Sequence, residues 1–365
     1  MAAHTVYRTP IHLADGRELI YFDESPGIDR SAPDSRDLPT VEHHSQVRYD
    51  ALAGEWVAIA GHRQTRTYLP PANLCPLCPS TPENASEIPA SGYDVVVFEN
   101  RFPSFAGAGP AAGPAGDPAD LTAARRGNGR CEVVCFTSDH HATMSQLPDA
   151  RIRTVLDVWT DRTRALGQHE GVEQVFCFEN RGIEIGVTLD HPHGQIYGYP
   201  FVTPVTTRML EQVAAHREAH GSNLFADLLA REIGGPRQVA ANEHWVAFVP
   251  FAARWPIEVH VYPRRQVPDL PALSDDERDA FVPIYREALL RMEGLIPEPL
   301  PLITAWHQAP VRTGREDWWM HLRLTSIRRA PGKIKYLAGS ESAMGAFIND
   351  TTPESVAASL REVAL

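Results

Sequence analysis

Residues 131–166 read CEVVCFTSDHHATMSQLPDARIRTVLDVWTDRTRAL, and residues 257–292 read IEVHVYPRRQVPDLPALSDDERDAFVPIYREALLRM. Each stretch begins with a β-branched run, continues through a polar loop and ends in apolar residues at helical spacing. Each is followed by an apolar strand pattern and then by a strand pattern that carries histidine. This is an internal duplication with a repeat too long for a solenoid. We therefore predict an α+β fold of two histidine-triad-like halves that share one continuous, mostly antiparallel sheet flanked by helices.

The repeat also suggests boundaries along the chain. We predict an N-terminal extension on the surface (1–45), a first half (46–205), a second half (206–350) and a C-terminal tail helix (351–365). When the copies are aligned on their histidine strands, His191 corresponds to His321 and Arg323 replaces His193. Only the first copy is then expected to carry histidine chemistry at that position.

Composition and charge limit the class of protein. With 43% hydrophobic and 22% charged residues, the 365-residue chain has the composition of a globular protein. Its formal net charge of −12 argues against nucleic acid or an anionic membrane as a partner. The N-terminal residues show no secretory signal, and no apolar run is long enough to cross a membrane. We expect a cytoplasmic protein.

The segment LDHPHGQIY, residues 189–197, places two histidines and a glutamine at alternating positions. Side chains at i, i+2 and i+4 of an extended segment point to one face. We therefore expect His191, His193 and Gln195 to line one surface, with Pro192 restricting the backbone between the two histidines.

The five cysteines do not suggest a disulfide framework, because their number is odd. Cys75 and Cys78 form a CxxC motif, which suits metal or redox chemistry. Metal binding is favoured, because no βαβ pattern surrounds the motif. Cys131, Cys135 and Cys177 lie in apolar strand patterns and are interpreted as buried structural thiols.

Several of these motifs together resemble a known family. FENRG, DHPHGQIY, CPLC, FTSDHH and GHRQTR are similar to the motifs of the galactose-1-phosphate uridylyltransferases of the histidine-triad superfamily, over residues 47–350. The resemblance implies an enzyme that exchanges UMP between UDP-glucose and galactose 1-phosphate in galactose metabolism. His193 would be the nucleophile of a ping-pong reaction, and a covalent uridylyl-histidine would link the two half-reactions.

Gln195 has a particular role in this interpretation. Hydrolases of the superfamily carry a histidine at the matching position. A carboxamide can donate to the phosphoryl oxygens but has no titratable proton, so we expect it to stabilise the intermediate and to favour transfer over hydrolysis.

The resemblance also implies a metal. Cys75, Cys78, His140 and His191 would hold one structural Zn²⁺, because four protein ligands leave no open position. His140 is preferred over His141 because FTSDH matches the family's spacing. Some members hold a second metal, iron or zinc, on one glutamate and three histidines. Two of those positions are Met209 and Arg323 here, so we expect the second site to be absent.

The remaining functional residues are also implied by the resemblance. The nucleotide would be bound by Arg63, Arg66, Asn100, Arg101, Asn180 and Thr188. The hexose would be selected by Lys335, Tyr336 and Glu341, contributed by the partner subunit of a homodimer. Arg101 stands where the best-known members carry an acidic residue, and Ser340 and Phe347 also depart from the family's pattern.

These departures leave a second hypothesis open, a related nucleotidylyltransferase or an NDP-sugar phosphorylase that uses another nucleotide or sugar 1-phosphate. A non-catalytic zinc protein that binds nucleotides would require His193 to be idle. A nucleotide hydrolase is disfavoured by Gln195.

Overall fold

The computed structural model describes residues 4–40, 45–65, 69–108 and 121–365. The strands are β1 (Tyr7–His12), β2 (Glu18–Asp23), β3 (Gln46–Asp50), β4 (Glu55–Ile59), β5 (Val95–Glu99), β6 (Ala124–Arg126), β7 (Arg130–Cys135), β8 (Gln174–Arg181), β9 (His193–Tyr199), β10 (Gln238–Ala241), β11 (Trp245–Phe248), β12 (Ile257–Pro263), β13 (Leu302–His307), β14 (His321–Ser326), β15 (Arg328–Ala330) and β16 (Lys333–Ile334). The helices are α1 (Asp149–Gly167), α2 (Pro204–His220), α3 (Leu224–Glu232), α4 (Asp275–Gly294), α5 (Gly339–Met344) and α6 (Pro353–Glu362).

Eleven strands form one sheet in the order β1-β2-β5-β7-β9-β8-β13-β14-β12-β11-β10. Each strand pair of this sheet whose register is defined is antiparallel. Strands β3, β4 and β6 form a separate small sheet, and β15 pairs with β16. The predicted α+β class with one continuous, mostly antiparallel sheet is confirmed.

The strand order contains the predicted duplication. In the first copy β7 leads through α1 to β8 and β9, and in the second copy β12 leads through α4 to β13 and β14. Within the sheet, the order β7-β9-β8 is followed by β13-β14-β12, so the second copy repeats the first in reverse.

The alignment of the two histidine strands differs from the prediction. The Nδ1–H of His193 donates to the carbonyl of His191 at 2.7 Å, and the Nδ1–H of His321 likewise donates to the carbonyl two residues earlier at 3.0 Å. His321 therefore corresponds to His193, and Arg323 corresponds to Gln195. The prediction that Arg323 replaces His193 is wrong, because a shift of two residues keeps the same side of a strand and is invisible in the hydrophobic pattern.

The N-terminal residues are not a surface extension. Strands β1 and β2 pair as a hairpin, and β2 pairs with β5 of the large sheet. The side chains of residues 19–22 in β2 are almost completely buried. The overlooked sequence feature is Asp15-Gly16 between two strand patterns, since Gly16 has the positive φ of 88° that such a turn requires.

The first compact unit consists of the described residues within 1–177, 188–207 and 310–313. The apolar residues at helical spacing in the first repeat belong to α1, which buries Ile152, Val155, Leu156 and Trp159. Arg162 of α1 reaches the buried Glu132 of β7 through two hydrogen bonds of 2.9 and 2.7 Å. This ion pair fastens the helix to the strand next to β9.

The second compact unit comprises 178–187, 208–309 and 314–365. Helices α2 and α3 are separate, because Gly221 adopts a φ of 70° and Asn223 begins α3 by accepting a hydrogen bond from the amide of Ala226. A capping box of Ser274 and Glu277 begins α4. The predicted domain boundaries stay a prediction.

None of the helices in the described ranges is both long enough and apolar enough to cross a membrane.

Candidate active site and metal cluster

The strand formed by segment 189–197 begins later than predicted. β9 begins at His193, which lies opposite Cys135 of β7, and Gln195 lies opposite Val133. His193 and Gln195 line one cavity, as predicted. His191 precedes the strand, is 1% exposed and belongs to a cluster with Cys75 and Cys78. The prediction of a single row of three side chains is therefore wrong for His191.

The protonation of the His193 ring is set by the backbone. A carbonyl can only accept, so the contact of Nδ1 with the carbonyl of His191 places the ring proton on Nδ1. Burial lowers the pKa of His193, and this one carbonyl only partly offsets the effect. The ring is therefore neutral near pH 7, with the lone pair on Nε2. This is the tautomer needed for nucleophilic attack or proton acceptance by Nε2.

The cavity has a volume of about 160 Å³ and combines polar and apolar walls. Four of the residues predicted to bind nucleotide meet His193 and Gln195 there: Arg63, Asn100, Arg101 and Thr188. The apolar part of the wall is formed by Pro76, Leu77, Phe98, Phe102, Val133 and Leu189. An apolar wall with two arginines and a few amides suits a planar base joined to phosphate.

A larger cavity of about 410 Å³ lies in the same unit, and its lining includes Asn100 but not His193. Two of its arginines are already paired with carboxylates. Arg17 contacts Asp15 at 2.7 Å, and Arg130 contacts Glu99 at 2.7 Å. Since these charges are compensated within the protein, the smaller cavity is the better candidate site.

Tyr197 was not predicted, although it follows Gln195 on the same side of β9. Its hydroxyl donates to Oε1 of Gln195 at 3.0 Å and accepts a hydrogen bond from Nη1 of Arg63 at 3.3 Å. Glu87, which also lines the cavity, was likewise missed. Both are common residue types in ordinary strand and loop contexts, so the sequence contains no pattern that marks them.

The four residues predicted to hold metal are close together. The ligand atoms of Cys75, Cys78, His140 and His191 all lie within 4.8 Å of one another. Sγ of Cys78 lies 3.3 Å from Nδ1 of His140 and 3.5 Å from Nδ1 of His191. Tetrahedral bonds of about 2.3 Å to sulfur and about 2.0 Å to nitrogen place neighbouring ligand atoms about 3.3–3.8 Å apart. The donor set and its spacing therefore fit a tetrahedral metal ion.

The orientation of the His191 ring also suits a metal. Its Nε2–H donates to the carbonyl of Thr137 at 2.8 Å, and the Tyr93 hydroxyl lies 2.8 Å from the same nitrogen. The proton on Nε2 leaves the lone pair on Nδ1, which points to Cys78. Burial lowers the pKa of His191 to about 4, so the ring is neutral.

The structure also distinguishes between the two neighbouring histidines. His140 belongs to the cluster, whereas His141 is exposed. Burial, followed by the neighbouring Cys75, raises the pKa of the Cys78 thiol to about 12. A bound cation would reverse this preference and favour the thiolate.

The other predicted residues lie elsewhere. Arg66 is outside the described residues. Asn180 belongs to the second unit, where it pairs in register with Ile303. In the same unit Nζ of Lys335 contacts Glu341 at 2.9 Å, and Tyr336 is 70% exposed. Lys335 and Glu341 are thus brought together, but hexose binding by these residues stays a prediction.

The guanidinium of Arg323 lies among the residues considered for a second metal. Nε of Arg323 donates to Nε2 of His321 at 3.1 Å, and its Nη2 lies 3.7 Å from Sδ of Met209. The His307 and His321 rings are stacked with centroids 5.0 Å apart. Arg323 thus contacts both His321 and Met209.

Fold and site together define a duplicated α+β protein with a histidine pocket beside a Cys₂His₂ cluster. Two family models match nearly the whole chain: the N-terminal domain of galactose-1-phosphate uridyl transferase at 36–203 and its C-terminal domain at 209–365. The galactose-1-phosphate uridylyltransferase of Streptomyces lividans is 46% identical, with 98% of each chain covered. That of Thermotoga maritima is 35% identical over 87% of this chain and 98% of its own.

A solved structure agrees with these relatives. A uridylyltransferase structure superposes with a TM-score of 0.75 at 31% identity, covering 87% of this chain and 98% of its own. The chain therefore belongs to the galactose-1-phosphate uridylyltransferase family. The predicted family resemblance is confirmed, as is the prediction that the protein is an enzyme, a transferase.

Proposed function

We propose that this protein exchanges UMP between UDP-glucose and galactose 1-phosphate through a covalent intermediate on His193. In the first half-reaction, Nε2 of His193 attacks the α-phosphorus, the bond to the bridging oxygen breaks, and glucose 1-phosphate leaves with the electron pair. In the second, a phosphate oxygen of galactose 1-phosphate attacks the same phosphorus, the P–N bond breaks, and UDP-galactose forms. The neutral ring is then ready for another cycle.

The observation that carries this proposal is the hydrogen bond from Nδ1 of His193 to the carbonyl of His191. It fixes the tautomer with a free Nε2 lone pair. When Nε2 bonds to phosphorus, the ring gains positive charge, and the same Nδ1–H bond to the carbonyl becomes stronger. The backbone therefore stabilises the intermediate as well as the nucleophile.

The cavity residues supply the remaining requirements. Arg63 and Arg101 provide positive charge for the phosphates in a chain of formal charge −12. Oε1 of Gln195 accepts a hydrogen bond from the Tyr197 hydroxyl. The Nε2 of the same carboxamide is therefore left as a donor for a phosphoryl oxygen. Amide or hydroxyl groups of Asn100 and Thr188 are suited to the ribose and the base.

We propose Zn²⁺ as the metal of the Cys₂His₂ cluster, with a structural role. Four protein ligands close the coordination shell, so the ion would supply rigidity rather than a bound water. Through His191, it would hold the carbonyl that orients His193.

We also propose a cytoplasmic homodimer in which Lys335, Tyr336 and Glu341 of one protomer select the hexose at the pocket of the other. The exposure of Tyr336 is compatible with this arrangement. A mixture of co-expressed His193→Ala and Lys335→Ala protomers should then regain activity, because each mixed dimer contains one intact site. Two inactive parents that give an inactive mixture would contradict shared sites.

Steady-state kinetics test the proposed reaction. Double-reciprocal plots against UDP-glucose at several galactose 1-phosphate concentrations should give parallel lines. UDP-glucose alone should release one equivalent of glucose 1-phosphate per active site, whereas ADP-glucose alone should release none. Intersecting lines would contradict the covalent route. A burst with ADP-glucose alone would favour the alternative, a related nucleotidylyltransferase or an NDP-sugar phosphorylase.

A further inference from the structure

The carboxamide of Gln195 has two ends of similar shape and opposite hydrogen-bonding character. Its Nε2 is a donor that attracts a phosphoryl oxygen, whereas its Oε1 would repel one. The chemistry next to His193 therefore depends on which end of the amide is presented to the substrate.

The contacts of Tyr197 settle this orientation. Nη1 of Arg63 lies 3.3 Å from the Tyr197 hydroxyl, and a guanidinium can only donate, so the hydroxyl oxygen is an acceptor there. The hydroxyl has one hydrogen of its own, which it donates to Oε1 of Gln195 at 3.0 Å. Donation thus runs in one direction, from Arg63 to Tyr197 to Gln195.

Two members of this hydrogen-bond chain, Arg63 and Tyr197, are held by further contacts. Arg63 also donates to the Ser104 hydroxyl. The Tyr197 ring packs edge-on against the buried Phe105 with centroids 6.2 Å apart and lies 5.9 Å from the Tyr199 ring. Because packing already restricts the Tyr197 ring, its hydroxyl can hydrogen-bond a neighbouring side chain with little further loss of entropy. This is the requirement for preorganisation.

We propose that Tyr197 is a positioning residue that locks the Gln195 carboxamide with its Nε2 donor toward the transferred phosphoryl group. The inference rests on the proposed function. It goes beyond that function in linking Arg63, a phosphate-binding candidate, to Gln195 through one hydroxyl. Without the hydroxyl the amide is free to rotate by half a turn and present its oxygen to an anionic group.

A double-mutant cycle tests the proposal. Tyr197→Phe keeps the ring and removes the hydroxyl, and we expect kcat to fall about 10- to 100-fold, the range found for hydrogen-bond partners that orient metal-binding side chains. KM for UDP-glucose and the melting temperature should hardly change. In a Gln195→Ala background, the same substitution should have no further effect on kcat. Tyr199→Phe is the matched control, because it removes a hydroxyl from the same aromatic cluster without touching Gln195.

Three outcomes would overturn the inference. Tyr197→Phe could retain the wild-type kcat, its effect could persist undiminished in the Gln195→Ala background, or Tyr199→Phe could produce the same loss. Failure of the proposed function has a different signature, since the wild-type protein itself would then show no exchange. In that case, a crystal structure of Tyr197→Phe decides the matter, because a Gln195 carboxamide that keeps its wild-type orientation without the hydroxyl contradicts the positioning role without reference to activity.

Discussion

Gln195 differs from a histidine in the same place by having no proton to exchange near neutral pH. If this protects the uridylyl-enzyme, Gln195→His should increase the ratio of hydrolysis to transfer, because imidazole can activate water. Transfer itself should stay level or fall, since the phosphate acceptor is already anionic. The ratio is measured from a preformed adduct, by following UMP release against UDP-sugar formation.

Gln195→Ala is the control for that comparison, because it removes the donor without adding a base. A ratio in Gln195→His that stays at or below the wild-type value would mean that water is excluded by the shape of the pocket.

The loop that carries Cys75 and Cys78 is the segment that a bound metal would hold in place. We expect purified protein to contain one zinc per chain, and Cys75→Ser to lower the free energy of unfolding by several kcal/mol, on the order expected for structural zinc sites. His140→Ala should behave like Cys75→Ser, while His141→Ala should retain metal and stability because that side chain is exposed. Metal content and the melting temperature are the two measurements. Full stability of metal-free protein would contradict the structural role.

Arg162 of α1 and Glu132 of β7 form a buried ion pair, and Arg130 also contacts Glu132. Burial alone would raise the pKa of Glu132, but the Arg162 and Arg130 guanidiniums hold it below its usual value. Glu132→Gln leaves Arg162 buried without its counter-charge, so we expect a loss of about 3–5 kcal/mol in unfolding free energy. Glu173→Gln, at a half-exposed pair with Arg312, should cost less than about 1 kcal/mol.

The same pair predicts a pH dependence. Because the folded pKa of Glu132 is depressed, its contribution is fully present above the unfolded value of about 4.3 and is lost as the pH falls through the folded value. Urea unfolding of the wild-type protein should therefore show a loss of stability below about pH 4.3 that Glu132→Gln reduces. Identical pH profiles for the two proteins would contradict this assignment.

Two arginines from the N-terminal segment hold a residue of the cavity wall in place. Arg17 and Arg36 each take one oxygen of the Glu87 carboxylate, at 2.6 and 2.8 Å, and Glu87 lines the cavity. Arg36→Met should therefore raise KM for UDP-glucose several-fold and lower the unfolding free energy by about 1–3 kcal/mol. Arg8→Met, at a half-exposed pair with Asp161, is the control and should change neither quantity measurably. An unchanged KM in Arg36→Met would contradict the support role.

The sequence predicted what depends on local pattern and spacing. The repeated strand–helix pattern predicted the shared antiparallel sheet, and the family resemblance implied the Cys75 cluster and the pocket around His193. What it missed depends on packing between distant segments. No local pattern relates β2 to β5, or Tyr197 to Arg63, although these segments are in contact. The equivalence of His321 and His193 likewise becomes visible only from the matching hydrogen bonds of their rings.

Intact-mass measurement of the protein after mixing with UDP-glucose tests the covalent role of His193. We predict a mass increase of one uridylyl group per chain, located on His193 by peptide mapping and removed when galactose 1-phosphate is added. His193→Ala should show no increase, whereas His12→Ala, which changes an exposed histidine of β1, should be labelled like the wild type. An unlabelled wild-type protein that still exchanges UMP, or a label that remains in His193→Ala, would contradict the covalent role of His193.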